Sequence, residues 1–188
     1  MSKSSFFGSP SIPWLGNFPE VNVRLYSIDE HGHRGVVFLS LEASHLIPVL
    51  VARAAFGLKY QWASMKLAQR DGKVAYRTRR HGQPDAASHF IVRPSQDSAA
   101  NAAVRVDPIS TFLTARWGFH ENHLGHTIYC RNYHDPWPLQ HAELVYLDDG
   151  LLAAAGFEGL TDRAPDSVLY APEVTTVFAA PQRHNRLH

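Results

Sequence analysis

A single cysteine, Cys130, is all the thiol this chain carries. That excludes an intrachain disulfide and a cysteine-built zinc site, and it fits a reducing compartment. Neither charge is in excess, with 18 Lys and Arg against 17 Asp and Glu. No electrostatic footprint for nucleic acid or an anionic membrane results. Long hydrophobic runs are missing too. The longest, Leu46 to Leu58, holds Pro48 and Arg53 and is too short to span a bilayer. The first ten residues lack the apolar stretch of a signal peptide. There is no Gly-x-Ser-x-Gly elbow, no glycine-rich phosphate loop and no dinucleotide fingerprint. A soluble cytoplasmic protein is expected, with no cofactor, no nucleic-acid partner and no membrane partner.

What is present suffices for one core: 188 residues, 45% of them apolar. Residues 1–17, rich in Ser, Pro and Gly, read as an irregular lead-in, and 18–188 as a single domain. Phe18 to Tyr26 alternates with a period of two. Val21, Val23 and Leu25 leave one face, and Glu20, Asn22, Arg24 and Tyr26 the other. On an open sheet that polar row would be wet; inside a closed barrel it would line a cavity.

Further along, Val36 to Leu41 returns as a hairpin partner across a glycine-containing turn. Leu46 to Phe56 reads as a helix capped by Ser44. Lys59 to Gln69 alternates, with Tyr60, Trp62, Ser64 and Lys66 on one face. Arg70-Asp-Gly-Lys73 supplies a tight turn, and Val74 to Arg80 its partner strand. Ser88 to Arg93 is a short strand, 94–105 a loop, and Ser110 to Arg116 a short helix. Thr127 to Tyr133, Ala142 to Leu147, Val168 to Tyr170 and Glu173 to Ala179 supply further strands, and Asp148 caps a short helix over Leu151 to Ala155. Many strands and few short helices predict a mostly-β (α+β) domain, antiparallel and strongly curved into a barrel-like sheet.

Several clusters invite chemistry. Twelve histidines raise the question of metal, and His120, His123 and His126 are the densest group. Asn122, Gly125 and the flanking alternation read as a solvated hairpin turn, so no metal is expected. Arg77 and Arg79 share one strand face; either the sheet edge is charge-blunted there, or Arg77 or Arg79 reaches a cavity to grip a carboxylate, with Arg79 taken as the ligand contact. Lys66, beside Tyr60 and Trp62, is a weak candidate for a Schiff-base amine. His134 is a second weak catalytic candidate, as acid or base, or it satisfies a backbone carbonyl. Trp137, held between two prolines, either walls a pocket or packs in the core. Cys130 reads as a packed structural thiol. Arg24 is expected to point inward beside Glu20 and Asn22, with an ion pair to Glu20 favoured over a guanidinium left for a ligand.

Five motifs together carry a resemblance: Trp14 to Tyr26, Gly35 to Ala43, Gly57 to Met65, His134 to Leu139, and Tyr170 to Val174. The chain resembles the YqjF-like proteins, the DUF2071 family, grouped by fold with acetoacetate decarboxylase. The resemblance implies an antiparallel β-barrel with an internal cavity and a few peripheral helices. Family members usually carry a further strand and helix before the counterpart of Trp14. The expectation that follows is an open sheet edge, exposed apolar surface and self-association as a homo-oligomer. The decarboxylase's adjacent lysines have only Lys66 near their place, with no lysine neighbour to depress its pKa.

The leading expectation is a small-molecule-binding barrel for an apolar or carboxylate-bearing ligand. Its contacts are Glu20, Asn22, Arg24, Tyr26, Tyr60, Trp62, Arg79 and Trp137. The alternatives are a decarboxylase or lyase using Lys66, and a structural protein pairing through its open edge.

Overall fold

The computed structural model describes residues 2–6, 19–46, 57–179 and 182–183. The expected helix from Leu46 to Phe56 lies almost wholly outside the described residues.

The two hairpins form where the alternation places them. Strand β2 (Glu20–Ile28) pairs antiparallel with β3 (Arg34–Ala43), and β4 (Tyr60–Arg70) with β5 (Lys73–Arg80). The β4–β5 turn has positive φ at Asp71 (51°) and Gly72 (70°). That is the twist a two-residue hairpin needs, and Asp-Gly supplies it cheaply. Strand β6 (Ala87–Pro94) continues the meander, and β9 (Gln140–Asp149) pairs with it. Strands β7 (Gly118–His123) and β8 (His126–Tyr133) form a third hairpin. The remaining strands are β1 (Ser2–Phe6), β10 (Leu169–Tyr170), β11 (Val174–Phe178) and β12 (Gln182–Arg183).

The domain is mostly β, but the antiparallel barrel is not what forms. The strand order runs β1-β11-β8-β7-β3-β4-β5-β6-β9-β10, an open path among the described residues. Three of its contacts are parallel: β1 with β11, β3 with β4, and β3 with β7. The physical reason lies in β3. One edge takes β2 along its whole length. The other is divided, with Val36 meeting Phe119 of β7 and Leu41 to Ala43 meeting Tyr60 to Trp62 of β4. Among the described residues strand β2 pairs with β3 alone and is left as an edge.

The register between β2 and β3 slips once. Val23 faces Ser40, but Arg24 faces Phe38, so Leu39 is passed over. A bulge of this kind re-aims the side chains beyond it. Val36, Phe38 and Leu41 thereby join one apolar cluster with Leu58, Phe119 and Cys130, against which Tyr26, Tyr60 and Phe178 pack. Burial pushes the Cys130 thiol up to about 11, in keeping with a packed side chain.

Three further expectations are corrected. The lead-in begins with strand β1, which leans on β11 although Ser and Lys mask its pattern. The segment 94–105 is not all loop, because α1 occupies Ser98–Val106. Its alanines favour helix, and Asp97 caps it by accepting the N–H groups of Ala99 (2.8 Å) and Ala100 (3.3 Å). After α2 (Pro108–Thr114) and β9 comes α3 (Leu151–Ala154). There it is Asp149, not Asp148, that accepts the Leu152 N–H, at 3.0 Å.

Among the described residues no helix is long and apolar enough to cross a membrane.

Candidate functional site

The sheet builds one groove that several predicted residues reach. It holds about 530 Å³. One wall is the β2 edge, from Val21 through Asn22 and Val23 to Arg24. The opposite wall comes from Ser88 and Phe90 of β6 with Leu147 and Asp149 of β9, and Trp137, Leu151 and Leu152 close the rest. Because β2 is an edge strand, side chains from both of its faces reach the rim. A depression of about 550 Å³ at Gly156–Arg163 offers less, since Arg163 is already forked onto Asp166 at 3.1 and 3.2 Å.

The polar row of β2 is divided between tasks. Tyr60 donates its hydroxyl to Glu20 at 2.7 Å, and the Asn22 amide donates to the same carboxylate at 3.4 Å. Burial holds the Glu20 carboxyl above its usual 4.5; the Tyr60 and Asn22 bonds and the Arg24 charge oppose it more weakly. Burial first, then the Glu20 charge, keeps the Tyr60 phenol well above its ordinary range. The expected ion pair between Glu20 and Arg24 does not form. Arg24 makes one long bond, from Nη2 to the Leu113 carbonyl at 3.4 Å, and Tyr26 donates to the same oxygen at 3.2 Å.

A raised carboxyl pKa has a definite sign. Between 4.5 and the folded-state value the folded protein holds a proton that the unfolded chain has released, so stability falls as pH rises through that window. Glu20→Gln removes the titration and keeps an acceptor for Tyr60. Its stability relative to wild type is therefore expected to improve as pH rises above 4.5. Urea melts at several pH values check this; a variant that loses ground with rising pH would contradict it.

The other predicted residues are scattered. Trp62 is exposed and its ring meets that of His81 at a tilt of 31°, centroids 3.9 Å apart. Lys66 is exposed on β4 directly opposite Arg77. Arg79 is exposed and faces Ser64. Both arginines sit on β5, an interior strand, so they blunt no edge. His134 is buried, with Nδ1 2.9 Å from the Asp135 carbonyl and Nε2 3.1 Å from that of Arg116. Its ring packs near Trp137, centroids 5.8 Å apart, and near Trp117 at 5.9 Å. Both nitrogens face backbone oxygen, so the imidazole braces Trp137 beside the groove.

Sequence reasoning missed four residues. Arg80 forks onto Glu42, Nη2 to Oε1 at 2.6 Å and Nε to Oε2 at 3.2 Å, with Glu42 wholly buried. Glu42 lies opposite Val21, a groove residue, on the β2–β3 ladder. Arg116 was read only as the end of a helix; it is 7% exposed. His120 is buried rather than in a solvated turn. Its Nδ1 lies 2.8 Å from the Ser27 hydroxyl and its Nε2 3.4 Å from Asp29, which also holds His33 at 2.8 Å. The only signal for Glu42 was an acid closing an apolar strand.

Residues 1–175 match the DUF2071 family, described as an uncharacterized conserved protein. The chain belongs to the DUF2071 family. The uncharacterized protein YqjF of Bacillus subtilis (strain 168) is 34% identical to this DUF2071 chain over 134 residues, which is 71% of the chain and 54% of YqjF. The chain thus spans about half the length of that curated relative. Among solved structures, acetoacetate decarboxylase from Legionella pneumophila aligns at 11% identity and a TM-score of 0.46, covering 71% of this chain and 54% of the enzyme. The enduracididine biosynthesis enzyme MppR, complexed with pyruvate, aligns at 13% and 0.42, covering 88% and 62%.

Proposed function

We propose that this DUF2071 domain binds a small molecule bearing a carboxylate in the groove between β2, β6, β9 and α3. The observation that carries the reading is Arg24. It lines the groove, its neighbouring acid Glu20 is held by Tyr60, and its recorded bond is a long one to a backbone carbonyl. A guanidinium with donors to spare matches a carboxylate in charge and fork geometry. Asn22 adds an amide beside it, and Val21, Val23, Phe90, Trp137, Leu147, Leu151 and Leu152 offer apolar walls for the rest of the ligand. Asp149 lines the far wall, and its bond to the Leu152 N–H turns part of its charge toward backbone. The acid end of the ligand therefore belongs at the β2 wall.

Calorimetry with a panel of short and aromatic monocarboxylates tests this. Arg24→Gln is expected to weaken binding by about 1.5–3 kcal/mol, roughly 10- to 150-fold, the worth of charge-assisted hydrogen bonds. Folding should be largely retained, because the guanidinium supports little else. Unchanged affinity in Arg24→Gln, or no binding of any carboxylate by wild type, would sink the reading.

A further inference from the structure

Arg116 is a buried cation. It is 7% exposed, yet among the described residues no carboxylate lies within ion-pair distance. Its Nη1 donates to the adjacent Ala115 carbonyl at 3.2 Å, and its Nε is buried with no partner. The guanidinium lies over the rings of Phe112, at 4.0 Å, and Tyr26, at 5.2 Å. Aromatic faces offset only part of the cost of removing a guanidinium from water. The neighbours add to that cost: burial pulls the Arg116 pKa down, and the charges of Arg34 and Arg24 act in the same direction against the opposing influence of Tyr26.

The same Tyr26 ring has Arg24 over it at 5.7 Å. One phenol therefore gathers two guanidinium groups, neither of them in an ion pair among the described residues. Arg24 lines the groove directly. Arg116 is brought near it by the Tyr26 ring that both guanidinium groups approach, and the Arg116 backbone carbonyl is bonded to His134, whose ring packs against the groove residue Trp137. Two cations held together with no acid between them are a receptor for two negative charges.

Resting on the reading of the groove as a carboxylate site, we infer that Arg24 and Arg116 form a two-guanidinium clamp for a doubly charged oxyanion, so that the preferred ligand is a dianion and not a monocarboxylate. A phosphomonoester and a dicarboxylate share that chemistry.

The test compares matched pairs by calorimetry at pH 8 and fixed ionic strength: phenyl phosphate against benzoate, and succinate against butyrate. At least one dianion is expected to bind wild type about tenfold or more tightly than its partner. The arm that does so names the source. Arg116→Met fills the space on Phe112 and Tyr26 without the charge and should erase the preference for the dianion over its matched monoanion. Arg116→Lys keeps a charge but not the fork and should lose a large part of the preference. Should both variants fail to fold, the wild type answers directly: in protein labelled with ¹⁵N-arginine, phenyl phosphate or succinate should move the most protected Nε–H resonance, which a purely structural Arg116 would not show. Monoanions that bind through Arg24 as tightly as their dianions overturn the clamp and leave the groove reading intact. So does a preference that survives both Arg116 variants, or a protected resonance that does not move. Binding of no anion at all overturns both.

Discussion

Arg80→Ala is expected to destabilise the fold by about 3–5 kcal/mol, the usual cost of stranding one member of a buried ion pair. Glu42 has no exposed surface, and two of the three Arg80 side-chain bonds go to it, at 2.6 and 3.2 Å. The third, Nη1 to Gln83 at 2.6 Å, ties the pair to the turn after β5. With the guanidinium gone, the carboxylate must stay charged in a dry site or take up a proton at a cost in free energy. Replacing both partners, as Glu42→Leu with Arg80→Met, is expected to recover most of the loss, since no charge is then buried. Urea denaturation of the two single variants and the double one closes the cycle. A loss below about 1 kcal/mol in Arg80→Ala would mean that water reaches Glu42 and that the pair is worth no more than a surface contact.

That pair also marks how far the sequence could be read. Alternation put Tyr76, Thr78 and Arg80 on one face of β5 and Arg77 and Arg79 on the other. The period carries phase, but not which phase faces inward. Choosing the inner face needed Glu42, thirty-odd residues upstream and brought near only through the parallel contact of β3 with β4. The hairpins β2–β3 and β4–β5 were legible because each is local, with two alternating arms around a turn. The parallel contacts of β1, β4 and β7 were not, because nothing within a strand names a distant neighbour. The barrel-like sheet was read from the many short strands and its closure from the family resemblance, and the divided edge of β3 replaced both. Of the expected ligand contacts, Asn22, Arg24 and Trp137 line the groove, where the alternation of β2 and the stiff Pro-Trp-Pro segment made them legible. Arg116 was hidden, since an arginine after a helix reads as solvated unless its two aromatic neighbours, Tyr26 ninety residues earlier among them, are already in place. His120 was misread for the same reason: its partners Ser27 and Asp29 come from the far end of another hairpin.

Gly150→Ala is the second large effect, and it joins stability to the groove. Gly150 follows β9 and leads into α3, with φ −105° and ψ −2°, a conformation open to any residue. What demands glycine is closeness. A Cβ there would lie 2.1 Å from the Asp85 carbonyl oxygen. That oxygen cannot swing aside freely, because it accepts the Ala87 N–H at 3.0 Å, and the Gly150 N–H is itself fixed to the Ala87 carbonyl at 2.8 Å. The methyl group must therefore push α3 away from the start of β6. Overpacking of this kind costs about 1–3 kcal/mol, and the upper end is expected where the obstacle is tied backbone. Gly32→Ala is the control. Its φ of +79° gives left-handed strain of about 1–2 kcal/mol, but nothing lies within reach of the new Cβ. Denaturation should rank Gly150→Ala as the costlier change; an equal or smaller loss would mean that the 85–87 segment yields easily. The two variants should also part in binding. Asp149, Leu151 and Leu152 flank Gly150 and line the groove, and Leu151 is almost wholly buried. Moving α3 opens that wall, so Gly150→Ala should weaken carboxylate binding even under conditions where it remains folded, whereas Gly32→Ala, in the β2–β3 turn, should leave affinity unchanged.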